Sequence, residues 1–313
     1  MPVAETERLP DGTYLNADHA YRDLVRQVIE NGVRKENRTG TDAVSCFAAF
    51  YMVNLQAGFP LLTTKKIFFD SMLRELIWYL AGEDHIRELR KHTRIWDAWA
   101  DEEGNLQTAY GRYWRRFPIP APSARLGAEV FATPDDPRLS SHVRQEADGS
   151  FSFDQIDFVA AELKRNPRSR RLVVSAWHPA NAAASLLPPC HFAFVFSAEP
   201  DPAGGPDRLN CHLTQRSADL ALGVPFNLAC YALLTHILAH EVGMVPGRFA
   251  HTLIDAHVYV NHIDGLKEQM TREPLSPPIL FLAPGATLDG LQIDDVALEG
   301  YEHHPAIRFP VAV

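Results

Sequence analysis

The chain has 313 residues, 46% hydrophobic and 22% charged, enough to bury a large core without disulfides or a structural metal. Its formal net charge of -9 argues against a general nucleic-acid binder, because neutralising phosphates requires an excess of Lys and Arg. No run reaches about eighteen uninterrupted apolar residues, and residues 1–20 lack the basic and apolar blocks of a signal peptide, so we expect a cytosolic protein.

Hydrophobic spacing predicts helices and strands that alternate along the chain. In the first third we expect a helix over residues 18–35, a strand over 45–55 and a helix over 67–80. Residues 117–150 are rich in Pro, Ala, Ser and Asp without convincing periodicity, which favours a surface insertion.

The rest of the chain continues the mixed pattern. The helices are expected over residues 154–165, 226–242 and 262–271, and the strands over 172–177, 191–198, 209–214, 256–260 and 278–282. Residues 191–198 and 209–214 should form a hairpin, and the helix over 226–242 is apolar nearly all round and should be buried. Because no Gly/Ser linker divides the pattern, we expect one α+β domain spanning residues 1–313.

Four cysteines, at positions 46, 190, 211 and 230, form no CxxC pair and show no metal-ligand spacing. Free cysteines are usually small core residues, but Cys190 follows Pro188 and Pro189, which restrict the backbone just before a predicted strand. A thiol with a pKa near 8.5 is only a few per cent ionised at neutral pH, so a nucleophilic cysteine needs nearby positive charge. Cys190 is therefore a candidate nucleophile if a cation lies beside it.

Two further patterns have simpler explanations. Residues 164–171, KRNPRSRR, hold five cations in eight positions, which is typical of a solvated helix end or a nuclear-import-like patch. His236 and His240 stand one helical turn apart, but the residues between them include no general-base glutamate, so we interpret them as structural rather than zinc ligands.

Seven sequence blocks resemble segments of the thymidylate synthase family and occur in that family's order. They are ENRTGT at 36–41, FPLLTTKK at 59–66, IWDAWADEEG at 95–104, SRRLVVSAW at 169–177, PPCH at 188–191, QRSADLALGVPFN at 215–227 and DAHVYVNH at 255–262. The resemblance covers about residues 18–116 and 151–313. It implies a large mixed β-sheet flanked by helices, with the sheets of two subunits packing back to back in a homodimer.

The resemblance also implies a reaction. Cys190 would add to C6 of dUMP, which makes C5 nucleophilic toward the methylene group of 5,10-methylenetetrahydrofolate. The folate would supply the hydride as well, so neither a metal nor a nicotinamide or flavin is expected, and no GxGxxG fingerprint occurs.

Residue by residue, the resemblance assigns three groups of roles. Catalysis would involve Cys190, Glu75 with a raised pKa, Tyr110, Arg216 and Asn227; dUMP would be bound by Arg38, Arg170, Arg171, Gln215, Arg216, Ser217, Asp219, Asn227, His257 and Tyr259; folate by Lys65, Trp96, Trp99, Asp219 and Val313. Arg170 and Arg171 would enter the site of the partner subunit. Strict strand alternation would point Arg216 away from Gln215 and Ser217, so a bend is required at that strand end.

Three alternatives remain beside this assignment. A dUMP or dCMP hydroxymethylase of the same fold would use the same nucleophile, and an inactive homologue could bind nucleic acid through the basic segment. A cysteine acyl-transferase using Cys190 and His191 is less favoured, since adjacent strand residues face opposite sides. Among several departures from the family pattern, Ile254 is the most consequential, because the usual glycine suggests unusual dihedrals or close backbone approach.

Overall fold

The computed structural model describes residues 8–37, 40–106, 109–119, 134, 136–185 and 187–311. Its α-helices are α1 (Ala17–Asn31), α2 (Phe69–Leu80), α3 (Tyr110–Arg115), α4 (Gln155–Arg165), α5 (Pro179–Ala184), α6 (Gly223–Glu241) and α7 (Ile263–Met270). Its strands are β1 (Val33–Lys35), β2 (Ala43–Asn54), β3 (Phe117–Ile119), β4 (Val143–Gln145), β5 (Phe151–Phe153), β6 (Val173–Ser175), β7 (His191–Glu199), β8 (Arg208–Gln215), β9 (Ala218–Asp219), β10 (Val245–Tyr259), β11 (Ile279–Leu282) and β12 (Val296–Glu299).

A seven-stranded mixed sheet organises the protein. Its order is β1-β2-β10-β8-β7-β6, and β9 also pairs with β10. The β10 strand runs parallel to β8 and β9, whereas the other neighbours in the sheet are antiparallel. Since β7 and β8 are adjacent antiparallel strands, the start of β7 and the end of β8 lie side by side at the same end of the strands. The α+β class with a large mixed sheet flanked by helices is confirmed.

The core lies between this sheet and the helices packed on it. Helix α6 is apolar on every face and buries thirteen of its nineteen residues, as its composition predicted. Helix α1 packs its buried face against β2, and α2 contacts both α3 and α6. Three residues connect β9 to the α6 helix, and Asn227 in the first turns of this helix contacts Gln215 at the end of β8.

Most predicted elements occur where the sequence predicts them, and two of them differ clearly in their bounds. The first helix ends at Asn31 rather than near residue 35, because Gly32 turns the chain into β1. A side chain at Gly32 would meet the carbonyl oxygen of Val28 at 2.4 Å, so glycine is required there. The strand predicted over residues 256–260 is the end of the much longer β10.

The segment over 117–150 contains more regular structure than its composition indicated. Strands β3, β4 and β5 form a small antiparallel sheet in the order β3-β5-β4. Residues 120–133 and 135 are outside the described residues, so the predicted surface insertion is only partly covered. Within the described ranges, no helix is both long and apolar enough to cross a membrane.

Candidate active site

Cys190 lies directly before β7, and Arg216 lies directly after β8. The backbone N–H of Arg216 donates to the carbonyl oxygen of Cys190 across 2.8 Å, which joins the two strand ends. The Arg216 side chain reaches Cys190 as well: Nη2 lies 3.6 Å from Sγ. The cation that the sequence required beside the candidate nucleophile is therefore present.

The proline pair before Cys190 holds this arrangement in place. Arg216 donates from Nε to the carbonyl oxygen of Pro189 at 2.9 Å and from Nη2 to that of Pro188 at 2.5 Å. The indole ring of Trp177 lies 5.8 Å from the guanidinium carbon of Arg216. The predicted bend is confirmed, because β8 ends at Gln215 and the chain bends at Arg216 and Ser217, so the Arg216 side chain is released from strand alternation.

The stacked rings of Tyr110 and His191 lie on the inner side of Cys190. The hydroxyl oxygen of Tyr110 accepts a 2.7 Å hydrogen bond from the backbone N–H of Cys190, and its ring stacks on His191 with centroids 3.6 Å apart. His191 in turn bonds the Tyr231 hydroxyl through Nδ1 at 2.6 Å. Burial lowers the pKa of His191 to about 3, so its imidazole is neutral. An inward-facing, neutral His191 gives no support to a Cys-His acyl-transferase.

Glu75 is a buried carboxyl group on α2. Its Oε1 accepts a 2.7 Å hydrogen bond from the indole Nε1–H of Trp96. Burial raises the pKa of Glu75 to about 7, while hydrogen bonds from Trp96 and Tyr79 lower it. The Trp99 ring lies 5.6 Å from that of Trp96 and is partly buried. Glu75 can therefore gain or lose a proton near neutral pH.

Asn227 lies in the first turns of α6 and is partly exposed beside Gln215. Gln215 donates from Nε2 to Asn227 Oδ1 at 3.1 Å and to the carbonyl oxygen of Ser217 at 3.0 Å. Because Gln215 and Ser217 follow each other across the bend at the end of β8, these polar groups converge near Arg216. The structure therefore brings Gln215, Arg216, Ser217 and Asn227 together at the end of β8, beside Cys190 at the start of β7.

His257, Tyr259 and Asp219 form a neighbouring group. His257 and Tyr259 are near the end of β10, with ring centroids 5.3 Å apart, and His257 pairs with Asp219 across β9 and β10. The Asp219 carboxylate is held through Oδ1, which accepts from the backbone N–H of Ala221 at 2.8 Å. Asp219 is partly exposed, so its carboxylate is accessible next to the His257 ring.

Arg170 and Arg171 lie far from Cys190 within one chain. They precede β6, and the carbonyl oxygen of their neighbour Leu172 accepts from the backbone N–H of Phe196, near the far end of β7. Cys190 precedes the opposite end of that strand. Phe196 is six positions along the chain from Cys190, which in an extended strand corresponds to roughly 20 Å. Both arginines are exposed.

Lys65 is more deeply buried than a surface contact for a ligand tail would be. Its Nζ donates to the carbonyl oxygen of Ala221 and lies 4.7 Å from the ring centroid of Phe309, near the C-terminus. Burial lowers the pKa of Lys65 to about 8. Arg38 and Val313, both expected in the site, lie outside the described residues.

Ile254 does not impose the backbone conformation that a glycine would suggest. Among the described residues, the non-glycine residue with a positive φ is Ala48, at 60°, and not Ile254. Register places Ala48 on β2 opposite Ile254 on β10, since Leu253 pairs with Ala49 and Asp255 with Phe47. The unusual backbone is therefore on the neighbouring strand, and β10 still presents His257 and Tyr259 on one face.

Several structural neighbours of the site escaped the sequence analysis. Trp177 contacts Arg216, Tyr231 contacts His191, and Tyr51 reaches Gln215 through His251. Each of these four looks like an ordinary core or strand residue in the sequence. His251 had no signal in the sequence, because it precedes the strand predicted over residues 256–260 and lies in the part of β10 that was not predicted. The separated helix histidines do not converge: His236 packs against Phe59, whereas His240 bonds the carbonyl oxygen of Pro284. No cluster of three possible metal ligands occurs among the described residues.

Comparison with known proteins agrees with this geometry. A family model described as thymidylate synthase matches residues 19–313. A thymidylate synthase from Haloferax volcanii is 44% identical, and the alignment covers 93% of this chain and 95% of the relative.

Proposed function

This chain belongs to the thymidylate synthase family, and we propose that Cys190 is the nucleophile of the family's reaction. That reaction is the reductive methylation of dUMP at C5 by 5,10-methylenetetrahydrofolate, which gives dTMP and dihydrofolate. The chain is accordingly a methyltransferase of dTMP biosynthesis. The proposal concerns how its own residues perform this chemistry.

The contact between Arg216 and Cys190 is the observation that carries the assignment. A guanidinium group 3.6 Å from the sulfur favours the thiolate, which is the reactive form of cysteine. The same guanidinium is anchored to two backbone carbonyls, so it remains beside the sulfur without a ligand. Arg216 can then serve two anions, the thiolate and the dUMP phosphate, with Ser217 as a further donor.

The bonding changes follow from the nucleophile. Sγ of Cys190 forms a bond to C6 of the pyrimidine, and the electron pair moves to C5, which becomes the attacking carbon. When bound, methylenetetrahydrofolate supplies the one-carbon unit and then the hydride. C5 loses its proton with the help of water and Tyr110, and the bond between the transferred carbon and the folate nitrogen breaks. Addition of the hydride to that carbon then breaks the S–C6 bond and restores the thiolate.

Glu75 is proposed to move protons near the C4 oxygen of the base. Its support is a pKa raised by burial to about 7, which allows both protonation states at neutral pH. Asn227 is proposed to select the base, donating from Nδ2 to O4 and accepting N3–H at Oδ1. His257 and Tyr259, two positions apart on β10, are proposed to hold the deoxyribose 3'-hydroxyl.

The folate is proposed to bind against Trp96 and Trp99, with Asp219 as the carboxylate that recognises its pterin. These residues fit such a ligand, since the partly exposed ring of Trp99 lies edge to face with the buried ring of Trp96 and Asp219 presents a partly exposed carboxylate. Lys65 and Val313 are proposed for the tail and the closing terminus. Because Lys65 is buried under Phe309, its contact with the tail requires the C-terminal segment to move.

We propose a homodimer in which Arg170 and Arg171 bind the phosphate in the partner's site, together with the partner's own Arg38. The supporting observation is that both arginines are exposed and roughly 20 Å from Cys190 of their own chain. Phe50 is 54% exposed on β2, where it alternates with buried Ala49 and Tyr51 and so faces away from the core. Such an apolar sheet face is suited to a second subunit.

The chain is proposed to act as one domain over residues 1–313 in the cytoplasm. None of the four cysteines, all within the described residues, forms a disulfide bond, which is typical of a reducing compartment.

The nucleophile is tested by the absorbance change of dihydrofolate formation with dUMP and methylenetetrahydrofolate. Cys190→Ala should abolish turnover, whereas the control Cys46→Ala, which changes a cysteine on β2, should retain it. Equal rates for the native chain and Cys190→Ala would overturn the assignment. The product mass separates methylation from hydroxymethylation of the base.

The shared site is tested by mixing two inactive variants, Cys190→Ala and the double variant Arg170→Ala with Arg171→Ala. A mixed dimer would contain one intact site, so random exchange should restore roughly a quarter of native activity. Mixtures that remain inactive after demonstrated subunit exchange would overturn the shared site while leaving the nucleophile untouched.

A further inference from the structure

A buried chain of hydrogen bonds leads from β2 to the residue proposed to select the base. The Tyr51 hydroxyl bonds His251 Nδ1 at 2.9 Å, and His251 Nε2 bonds Gln215 Oε1 at 3.0 Å. Gln215 Nε2 then donates to Asn227 Oδ1 at 3.1 Å. Tyr51 and His251 are direct cross-strand partners on β2 and β10, and both are almost fully buried.

The donors and acceptors in this chain of hydrogen bonds can be assigned in only one consistent way. Gln215 uses Nε2 to donate to both Ser217 and Asn227, so its Oε1 must accept from His251. Burial lowers the pKa of His251 to about 3, so the ring is neutral and has one N–H. That N–H is therefore on Nε2, which leaves Nδ1 to accept from the Tyr51 hydroxyl.

These donor and acceptor assignments also fix the positions of Oδ1 and Nδ2 in the Asn227 carboxamide. Its Oδ1 faces the Gln215 donor, so Nδ2 is left to donate toward a ligand. Uracil presents an acceptor at O4 and a donor at N3, which this orientation matches. Cytosine presents a donor at N4 and an acceptor at N3, and would require the carboxamide to flip, which would bring Nδ2 against the N–H of Gln215.

We propose that Tyr51 and His251 are positioning residues that enforce the choice of uracil over cytosine by holding Gln215, and through it Asn227, in one orientation. The inference rests on the proposed function, because it assumes that Asn227 contacts the base. Neither residue touches the substrate. The Ser217 carbonyl also holds Gln215, so loss of the Tyr51 hydroxyl removes one of two constraints and its effect is partial.

Tyr51→Phe is the test, with dissociation constants measured for dUMP, dCMP and 2-deoxyribose 5-phosphate. Without the hydroxyl, His251 Nδ1 loses its donor and the opposite tautomer becomes accessible. The ratio of dCMP to dUMP dissociation constants should fall roughly three- to tenfold, the effect of one net hydrogen bond. Affinity for 2-deoxyribose 5-phosphate, which has no base, should not change.

Tyr113→Phe is the matched control. The Tyr113 side chain is also fully buried, and its hydroxyl accepts from Asn181 rather than joining this chain. The ratio of dCMP to dUMP dissociation constants in Tyr113→Phe should match that of the native protein. An unchanged ratio in Tyr51→Phe, or an equal loss of affinity for all three ligands, would overturn the inference.

A measurement on the native chain does not depend on any variant folding. Nitrogen NMR of the imidazoles should show His251 as the Nε2–H tautomer at neutral pH, with its signal assigned through its loss in His251→Gln. A proton on Nδ1 would reverse the bond direction and overturn the inference. A native chain that fails to bind dUMP at all would instead overturn the proposed function, and with it the premise of this one.

Discussion

The indole Nε1–H of Trp96 donates a 2.7 Å hydrogen bond to Oε1 of Glu75. The bond joins an aromatic side chain proposed to contact folate to the carboxyl proposed to move protons at the base. Hydrogen bonding favours the carboxylate, whereas burial favours the neutral acid. A substitution of Trp96 should therefore shift the pKa of Glu75.

Trp96→Phe should raise the pKa of Glu75 further, because the ring is kept while the hydrogen bond that lowers this pKa is removed. The pH dependence of kcat should report the change as a shift of its Glu75-dependent limb to higher pH. Trp99→Phe is the control, since it changes the adjacent ring without touching that bond. Identical profiles for Trp96→Phe and the native chain would contradict the expectation.

Glu75→Gln should change the pH dependence of stability. The folded-state pKa, about 7, lies above the ordinary 4.5, so the native chain loses unfolding free energy as the pH rises through that interval. The glutamine variant has no such loss, and should be more stable than the native chain at pH 8 by on the order of 1–3 kcal/mol.

Urea unfolding at pH 4.5 and pH 8 measures this difference, which should be small at the lower pH because the carboxyl is protonated there in the folded state and about half protonated in the unfolded state. Turnover of Glu75→Gln should fall strongly at both pH values. A stability difference that does not depend on pH would mean that Glu75 titrates as an ordinary carboxyl.

Arg216→Met should slow alkylation of Cys190 by iodoacetamide about tenfold at pH 7, because removing the guanidinium lowers the thiolate fraction. The measurement uses a Cys46→Ser background, since Cys46 is only partly buried. Burial raises the pKa of both Cys211 and Cys230, so neither competes for the reagent. Arg216→Lys, which keeps the charge, should slow the alkylation less. Equal rates in all three proteins would show that Arg216 does not activate the thiol.

Ala48→Gly should stabilise the protein by about 1 kcal/mol, because a φ of 60° is unfavourable for a residue with a Cβ. Ile254→Gly, which restores the family glycine on the opposite strand, should destabilise it by about as much through added chain entropy. Thermal unfolding of the two variants checks both signs. Stabilisation by Ile254→Gly would show that the strain is on β10 after all.

Deletion of Val313 should lower turnover far more than stability. The segment before it is docked, since His262 Nε2 bonds the carbonyl oxygen of Pro310 at 2.7 Å and the Phe309 ring lies 5.1 Å from that of His262. A terminus that excludes water from bound ligands would affect kcat while leaving the core intact. Val311→Ala, at an exposed position, is the control. Unchanged turnover after the deletion would refute a closing role.

The sequence by itself determined the α+β class, the approximate positions of most long elements and the side chains proposed for chemistry. Helical and alternating periodicities record which face of an element is buried, and that information is local. It determined α6 well, because a helix that is apolar on all sides has to lie inside the protein. Pro188 and Pro189 likewise indicated a rigid position for Cys190 without any knowledge of the strands around it.

Only the tertiary structure decided which of these residues meet. The Arg216–Cys190 contact depends on the start of β7 lying beside the end of β8, and the Tyr51–His251 pair joins strands about two hundred positions apart in the chain. The roughly 20 Å between Arg171 and Cys190 also follows from the register of β6 on β7. Strand pairing is a long-range choice among competing registers, made when the whole core packs, and no local pattern records it.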